Sequence, residues 1–158
     1  MVVFFETTYA YRDRDFCEIM EFLTGNFDLK IHVISSSTME AARIDGMLWT
    51  FKKEAFIPHV ILGPGDTTEG RLERVFITVG PSVLKGCDVL VLFDPDGYGQ
   101  EFESYRMVVV FIIGDDESQK ESGRKLWRRL GKADIPRRHV HSRDKHAWMN
   151  LFGDIFCL

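Results

Sequence analysis

An α/β domain of three layers, with helices covering both faces of a mainly parallel central sheet, is the fold class this 158-residue sequence predicts. Three observations carry the prediction. Short apolar runs alternate with segments of helical period along most of the chain. Two runs, Val89 to Phe93 and Met107 to Ile113, are continuously apolar, as expected of strands covered on both faces. Turn chemistry, as in Gly63-Pro64-Gly65-Asp66 and Asp94-Pro95-Asp96-Gly97, lies outside the runs and separates them.

The elements follow in order. Val2-Val3-Phe4-Phe5 is a first strand. Asp15 is placed to cap a helix through Phe16, Ile19, Met20, Phe22 and Leu23 that ends at Gly25-Asn26. Lys30 to Ile34 is a second strand. Ser37-Thr38-Met39-Glu40 is a capping box, in which Ser37 accepts from the Glu40 amide and the Glu40 carboxylate reaches back; its helix runs to about Trp49. Pro58 pushes Ile57 out of the helical region, so Phe56-Ile57 is extended. Val75 to Val79, Val89 to Phe93 and Tyr105 to Ile113 are further strands. Asp115-Asp116-Glu117 opens the last clear helix, with acids where the helix dipole favours them and Lys/Arg in the later turns. Pro136 stops it. No repeat, linker or low-complexity segment divides the chain, so residues 1–158 are expected to form one domain.

Composition narrows the class. Hydrophobic residues make up 45% of the chain and charged residues 28%, which excludes a disordered protein. The longest apolar run is far too short for a membrane span, and Met1 to Glu6 has none of the features of a secretory signal. Cys17, Cys87 and Cys157 are odd in number and far apart, which suits reduced, mostly buried thiols in a cytoplasmic protein. The net charge of -4 conceals an asymmetry: residues 120 to 145 hold ten Lys/Arg against three acids, a net +7, leaving -11 on the rest. A basic segment on an acidic body calls for an acidic partner.

No catalytic or cofactor motif is found. The glycine-rich stretch at Gly63 to Gly70 lacks the Gly-Lys-Ser/Thr of a phosphate loop, and no Gly-x-Gly-x-x-Gly follows the first strand. Asp94 to Gly97 has its glycine two positions early for a calcium loop and Tyr105 where the bidentate Glu belongs. His139, His141, Asp144 and His146 imitate a metal motif, but a solvated basic tail is the plainer reading. None of the cysteines has a His nearby in sequence to act as its base. No metal and no cofactor are expected.

Two segments carry more information. On the last helix Lys120, Arg124, Trp127 and Arg128 share one face, while Gly123, Leu126 and Leu130 form a stripe suited to packing on the sheet. Gly123 costs about 1 kcal/mol relative to Ala inside a helix, which a close approach to the sheet would justify. Three cations around an indole, with few compensating acids, favour a surface that binds an anion and an apolar group together. Ile112 or Ile113, ending the preceding strand, is a candidate floor for the apolar part. The second segment, Leu48 to His59, gathers three large aromatics around a charged turn, either as satellite core or as an exposed anchor patch.

That second segment, "RIDGMLWTFKKEAFIPH" from Arg43 to His59, resembles the most characteristic stretch of the chi subunit of bacterial DNA polymerase III. The later "GCDVLVLFD" (Gly86 to Asp94) and "GRKLWRRLGKADIP" (Gly123 to Pro136) keep the same order. The resemblance implies a Rossmann-like fold without a nucleotide site, in a non-catalytic clamp-loader subunit. It further implies binding to the acidic C-terminal tail of single-strand DNA-binding protein, with Lys120, Arg124, Trp127 and Arg128 matching the tail pocket. Trp49, Phe56, Pro58 and His59 match the patch that meets the psi subunit or an accessory repair helicase. Contact with nucleic acid is then indirect, and the chain alone is expected to be monomeric. Leu130 stands where many relatives have an aromatic, Asp134 lies near their usual glycine, and residues 137–158 align poorly. The ending Asp154-Ile155-Phe156-Cys157-Leu158 itself resembles the tail ligand, which raises occupancy of its own or a neighbour's pocket as an alternative to simple packing. The runner-up function is direct nucleic-acid binding through residues 120–145; a nucleotide-dependent enzyme ranks third.

Overall fold

The computed structural model describes residues 1–157. Its strands are β1 (Val2–Thr7), β2 (Ile31–Ser35), β3 (His59–Ile61), β4 (Val75–Val79), β5 (Val89–Leu92), β6 (Met107–Ile113) and β7 (Arg137–His141). They form one sheet in the order β3-β4-β2-β5-β6-β1-β7, with every neighbouring pair parallel. Helices α1 (Arg12–Asn26), α2 (Thr38–Thr50), α3 (Glu117–Lys132) and α4 (Lys145–Phe156) cover it, together with short 3-10 turns at Pro95–Gly97 and Gln100–Ser104. This is the three-layer class that the alternating pattern predicts, Rossmann-like as the resemblance implies.

Strand alternation assigns the layers. Val3 and Phe5 of β1 point into a core built with α1, α2 and α4, around Phe16, Ile44, Trp148 and Phe152. Val2 and Phe4 point the other way, into a core with Leu126 and Leu130 of α3 and with Phe102 and Tyr105. The same rule separates two residues that the sequence left as alternatives. Ile112 belongs to the α3 side, whereas Ile113 is fully buried, two residues on from Phe111, which lies in the α1 core.

Local signals mostly hold. Ser37 caps α2 by accepting from the Glu40 amide at 3.1 Å, although the Glu40 carboxylate reaches back to Ser36 instead of Ser37. Asp15 is not the cap of α1, which begins at Arg12 after a turn in which the Arg12 amide donates to the Thr8 carbonyl. Asp15 is buried and accepts from the Thr7 hydroxyl at 2.5 Å, so β1 claims the carboxylate that the sequence assigned to capping.

The largest departure is at the C-terminal end. Residues 137–157 are not a solvated tail. β7 pairs along β1 at the sheet edge, and Asp144 caps α4 by accepting from the Ala147 amide at 3.1 Å. α4 buries Trp148 and Phe152 against α1. Ile155 and Phe156 pack on that same face, with Phe156 against Phe27, so they do not reach the α3 side of the sheet. Leu158 lies outside the described residues.

Of the cysteines, Cys17 is buried, Cys87 half-buried and Cys157 exposed, and none is bridged. Burial pushes the Cys17 and Cys87 thiols up to about 12, which keeps them protonated and unreactive. Among the described residues no helix is long and apolar enough to cross a membrane.

Candidate functional site

Helix α3 is built as the sequence indicates. Asp116 caps it by accepting from the Ser118 and Gln119 amides, and Gly123, Leu126 and Leu130 are buried on the sheet. Gly123 lets helix and sheet approach closely: a Cβ there would lie 3.1 Å from Cδ1 of Ile112. The neighbouring face carries Lys120, Arg124, Trp127 and Arg128, and these four line a cleft of about 430 Å³. Phe4 and Ile112 of the sheet form its apolar floor, and Glu6 and His139 close the side towards β7.

Trp127 is half-buried between two neighbours. Phe4 meets its ring edge-on at 5.2 Å, and the Arg137 guanidinium sits 4.5 Å from the indole centroid. The indole is thereby fixed as a wall of the cleft. The cations are less free than the sequence suggested. Lys120 lies 3.3 Å from Glu117, and Glu121 holds both Arg124 at 3.3 Å and Arg128 at 3.7 Å. These are exposed pairs along one helix, worth less than about 1 kcal/mol each, so an incoming carboxylate can displace them.

Sequence reasoning missed three residues of the cleft, Phe4, Glu6 and His139. Phe4 and Glu6 share a face because they are two apart on β1, and Phe4 stands beside His139 in the β1–β7 register. That register exists only because β7 joins the sheet. Glu6 is partnered by His139 Nε2 at 3.0 Å and His141 Nε2 at 3.6 Å. Two of the three histidines of the apparent metal motif are thus spent on one carboxylate, while Asp144 caps a helix. Among the described residues no group of three or more His, Cys, Asp or Glu is arranged to hold a metal ion.

The aromatic segment lies elsewhere. Trp49, at the end of α2, is 56% exposed and Phe56 is 71% exposed, with ring centroids 6.1 Å apart. Pro58 is half-buried. His59 is not part of the exposed patch: it is buried beneath Trp49, donates from Nδ1 to the Ile57 carbonyl at 2.6 Å, and has Nε2 3.1 Å from Asp45. It fixes the segment from below.

A model of the family "DNA polymerase III chi subunit, HolC" matches residues 1–137. The chain belongs to that family. The match takes in the aromatic segment and all of α3, and it stops at the first residue of β7, so the His139 side of the cleft and α4 lie past it. No curated protein sequence matches the chain. Among solved structures, S. cerevisiae Dbp5 bound to RNA and ADP BeF3 is similar with a TM-score of 0.65 at 14% identity, over 98% of this chain and 44% of that one. A variant of S. cerevisiae Dbp5 bound to Gle1 and IP6 gives 0.66 at 14% identity, over 98% and 45%. This chain spans less than half the length of either. Likeness at this identity shows the shared α/β fold alone.

Proposed function

We propose that this chi-family chain is a non-catalytic subunit of the replicative polymerase that receives the acidic C-terminal tail of single-strand DNA-binding protein in the α3 cleft. Its second contact, to psi or to an accessory helicase, is made through Trp49 and Phe56, with Pro58 and the buried His59 setting the loop. The observation that carries the reading is the cleft itself, a row of three cations above an apolar floor with a fixed indole between them. An acidic peptide ending in an apolar residue offers the matching groups. Arg124 and Arg128, one turn apart, can fork onto carboxylates, and Lys120 extends the positive field. The apolar end fills the slot over Phe4 and Ile112 beside Trp127.

Because exposed ion pairs contribute only about 0.2–1 kcal/mol each, the cations steer and orient while the slot supplies much of the affinity. Binding near micromolar, about -8 kcal/mol, follows, weakened by salt without being abolished. Titration calorimetry with a tail peptide tests this. Arg124→Ala, Arg128→Ala and Trp127→Ala should each weaken binding, as should removing the peptide's last residue; Lys85→Ala should not. Undiminished binding by a Trp127→Ala/Arg128→Ala double variant would place the pocket elsewhere.

Two features weigh against the other readings. Direct binding to nucleic acid through residues 120–145 would engage the cations alone and leave the apolar slot over Phe4 and Ile112 beside Trp127 unfilled by phosphates. A bare oligonucleotide should therefore fail to displace the tail peptide. For a nucleotide enzyme, the strand C-termini are the expected place for phosphates. There the Glu40 carboxylate already sits on the Ser36 amide at the start of α2.

A further inference from the structure

Glu6 is out of character in a cleft suited to anions. Its side chain is 30% exposed and faces the cavity from the sheet. Among the described residues no lysine or arginine is paired with it. The β7 partners are the imidazoles of His139 and His141, at 3.0 Å and 3.6 Å. From α3 across the cleft, Lys120, Arg124 and Arg128 already face Glu117 and Glu121. On the β6 side Ile112 and Gly114 adjoin it, and Gly114 leaves the room: a Cβ there would lie 2.8 Å from Oε2 of Glu6. Among the described residues, then, its ion-pair partners are imidazoles.

We infer that Glu6, through His139 and His141, sets the affinity of this cleft for a carboxylate-bearing peptide and makes it depend on proton concentration. The inference rests on the tail reading and names how the same site is regulated. With both imidazoles neutral, the hydrogen bond from His139 and the His141 contact at 3.6 Å leave a full negative charge beside the slot, and an anionic ligand is repelled. Protonating His139 cancels that charge, while His141, whose Nδ1 accepts from the Arg143 amide at 3.4 Å, stays a neutral neighbour. Histidine titrates between about pH 5 and 8, whereas the peptide's Asp and terminal carboxylates stay ionised there. Affinity therefore rises as pH falls. The partly exposed setting limits the size of the effect.

The test uses the full chain and a short N-acetylated peptide of alternating Asp and Gly that ends in Leu with a free carboxylate. Titrations are run at pH 8 and pH 6 at constant ionic strength. Wild type should bind about threefold tighter at pH 6, the scale expected of an exposed charge interaction. Glu6→Gln, nearly isosteric, should bind about threefold tighter than wild type at pH 8. His139→Asn/His141→Asn should bind with the same affinity at both pH values, and its unfolding curve checks the fold independently of the Gln variant. A wild-type affinity identical at both pH values, or a Glu6→Gln variant no tighter at pH 8, overturns the inference while leaving the tail reading in place. Absence of wild-type binding at both pH values overturns the tail reading, and the inference with it.

Discussion

His32 shows how a single polar residue is kept inside an apolar sheet. It is fully buried on β2, with Nδ1 2.7 Å from the Tyr105 hydroxyl and Nε2 2.7 Å from the Thr78 hydroxyl. Tyr105 also accepts from the Leu84 amide at 2.9 Å, so its own proton goes to Nδ1, and the imidazole is neutral with its hydrogen on Nε2. Burial lowers its pKa from 6.5 to about 4. The sign follows from proton counts. Between those values the unfolded chain binds the proton and the folded chain does not, so stability is complete above pH 6.5 and falls as pH drops towards 4. The full loss is about 3 kcal/mol. Urea unfolding at pH 7 and pH 4.5 should show a fall of this order in wild type, with much of it absent from His32→Gln. An equal fall in both proteins would assign the acid sensitivity to carboxylates. Nothing in the sequence marks this histidine: Lys30 to Ile34 reads as a strand, but its partners come from residues 78 and 105.

At the scale of elements, what was legible depended on how local each signal is. The apolar runs of β5 and β6, the Ser37 cap and the buried stripe of α3 announce themselves within a few residues, and the structure has each of them. β7 does not announce itself, because Arg137-Arg138-His139-Val140-His141 has one apolar residue and becomes a strand by pairing with the already buried β1. The cleft was legible on its α3 side and hidden on its sheet side, since His139 reaches it only through that pairing and Phe4 and Glu6 only because α3 covers their face of β1. The sequence left Ile112 and Ile113 as alternatives for the same reason: one residue decides the face, and the face is set by which helix covers it. The contact of α3 with β6 gives a prediction that separates stability from binding. Ala at Gly123 gains about 1 kcal/mol in helix propensity. Its Cβ would press on Ile112 Cδ1, the free end of a side chain beside an open cleft, which can turn aside. Gly123→Ala should therefore keep or raise the melting temperature and weaken tail binding by narrowing the slot. A lower melting temperature would mean that Ile112 cannot yield.

Over the whole molecule, the two candidate surfaces are at opposite ends of the sheet. β3, next to Trp49 and Phe56, is one edge strand, and β7, beside the α3 cleft, is the other. They are six strand spacings apart, roughly 29 Å at the usual separation. They also differ in face, since α2 packs on the α1 side and α3 on the other. A subunit that joins two partners needs this separation, so that neither excludes the other. Sites this distant with no shared contacts should behave additively. Phe56→Ala should weaken psi or helicase binding by more than about 1 kcal/mol, as for an interface anchor, and leave tail-peptide affinity unchanged. Trp127→Ala should do the reverse, and the double variant should show the sum of the two losses. In wild type, saturating tail peptide should leave the affinity for the second partner within error, and the three components should co-elute. Competition between tail peptide and second partner would place both on one surface and remove the bridging role.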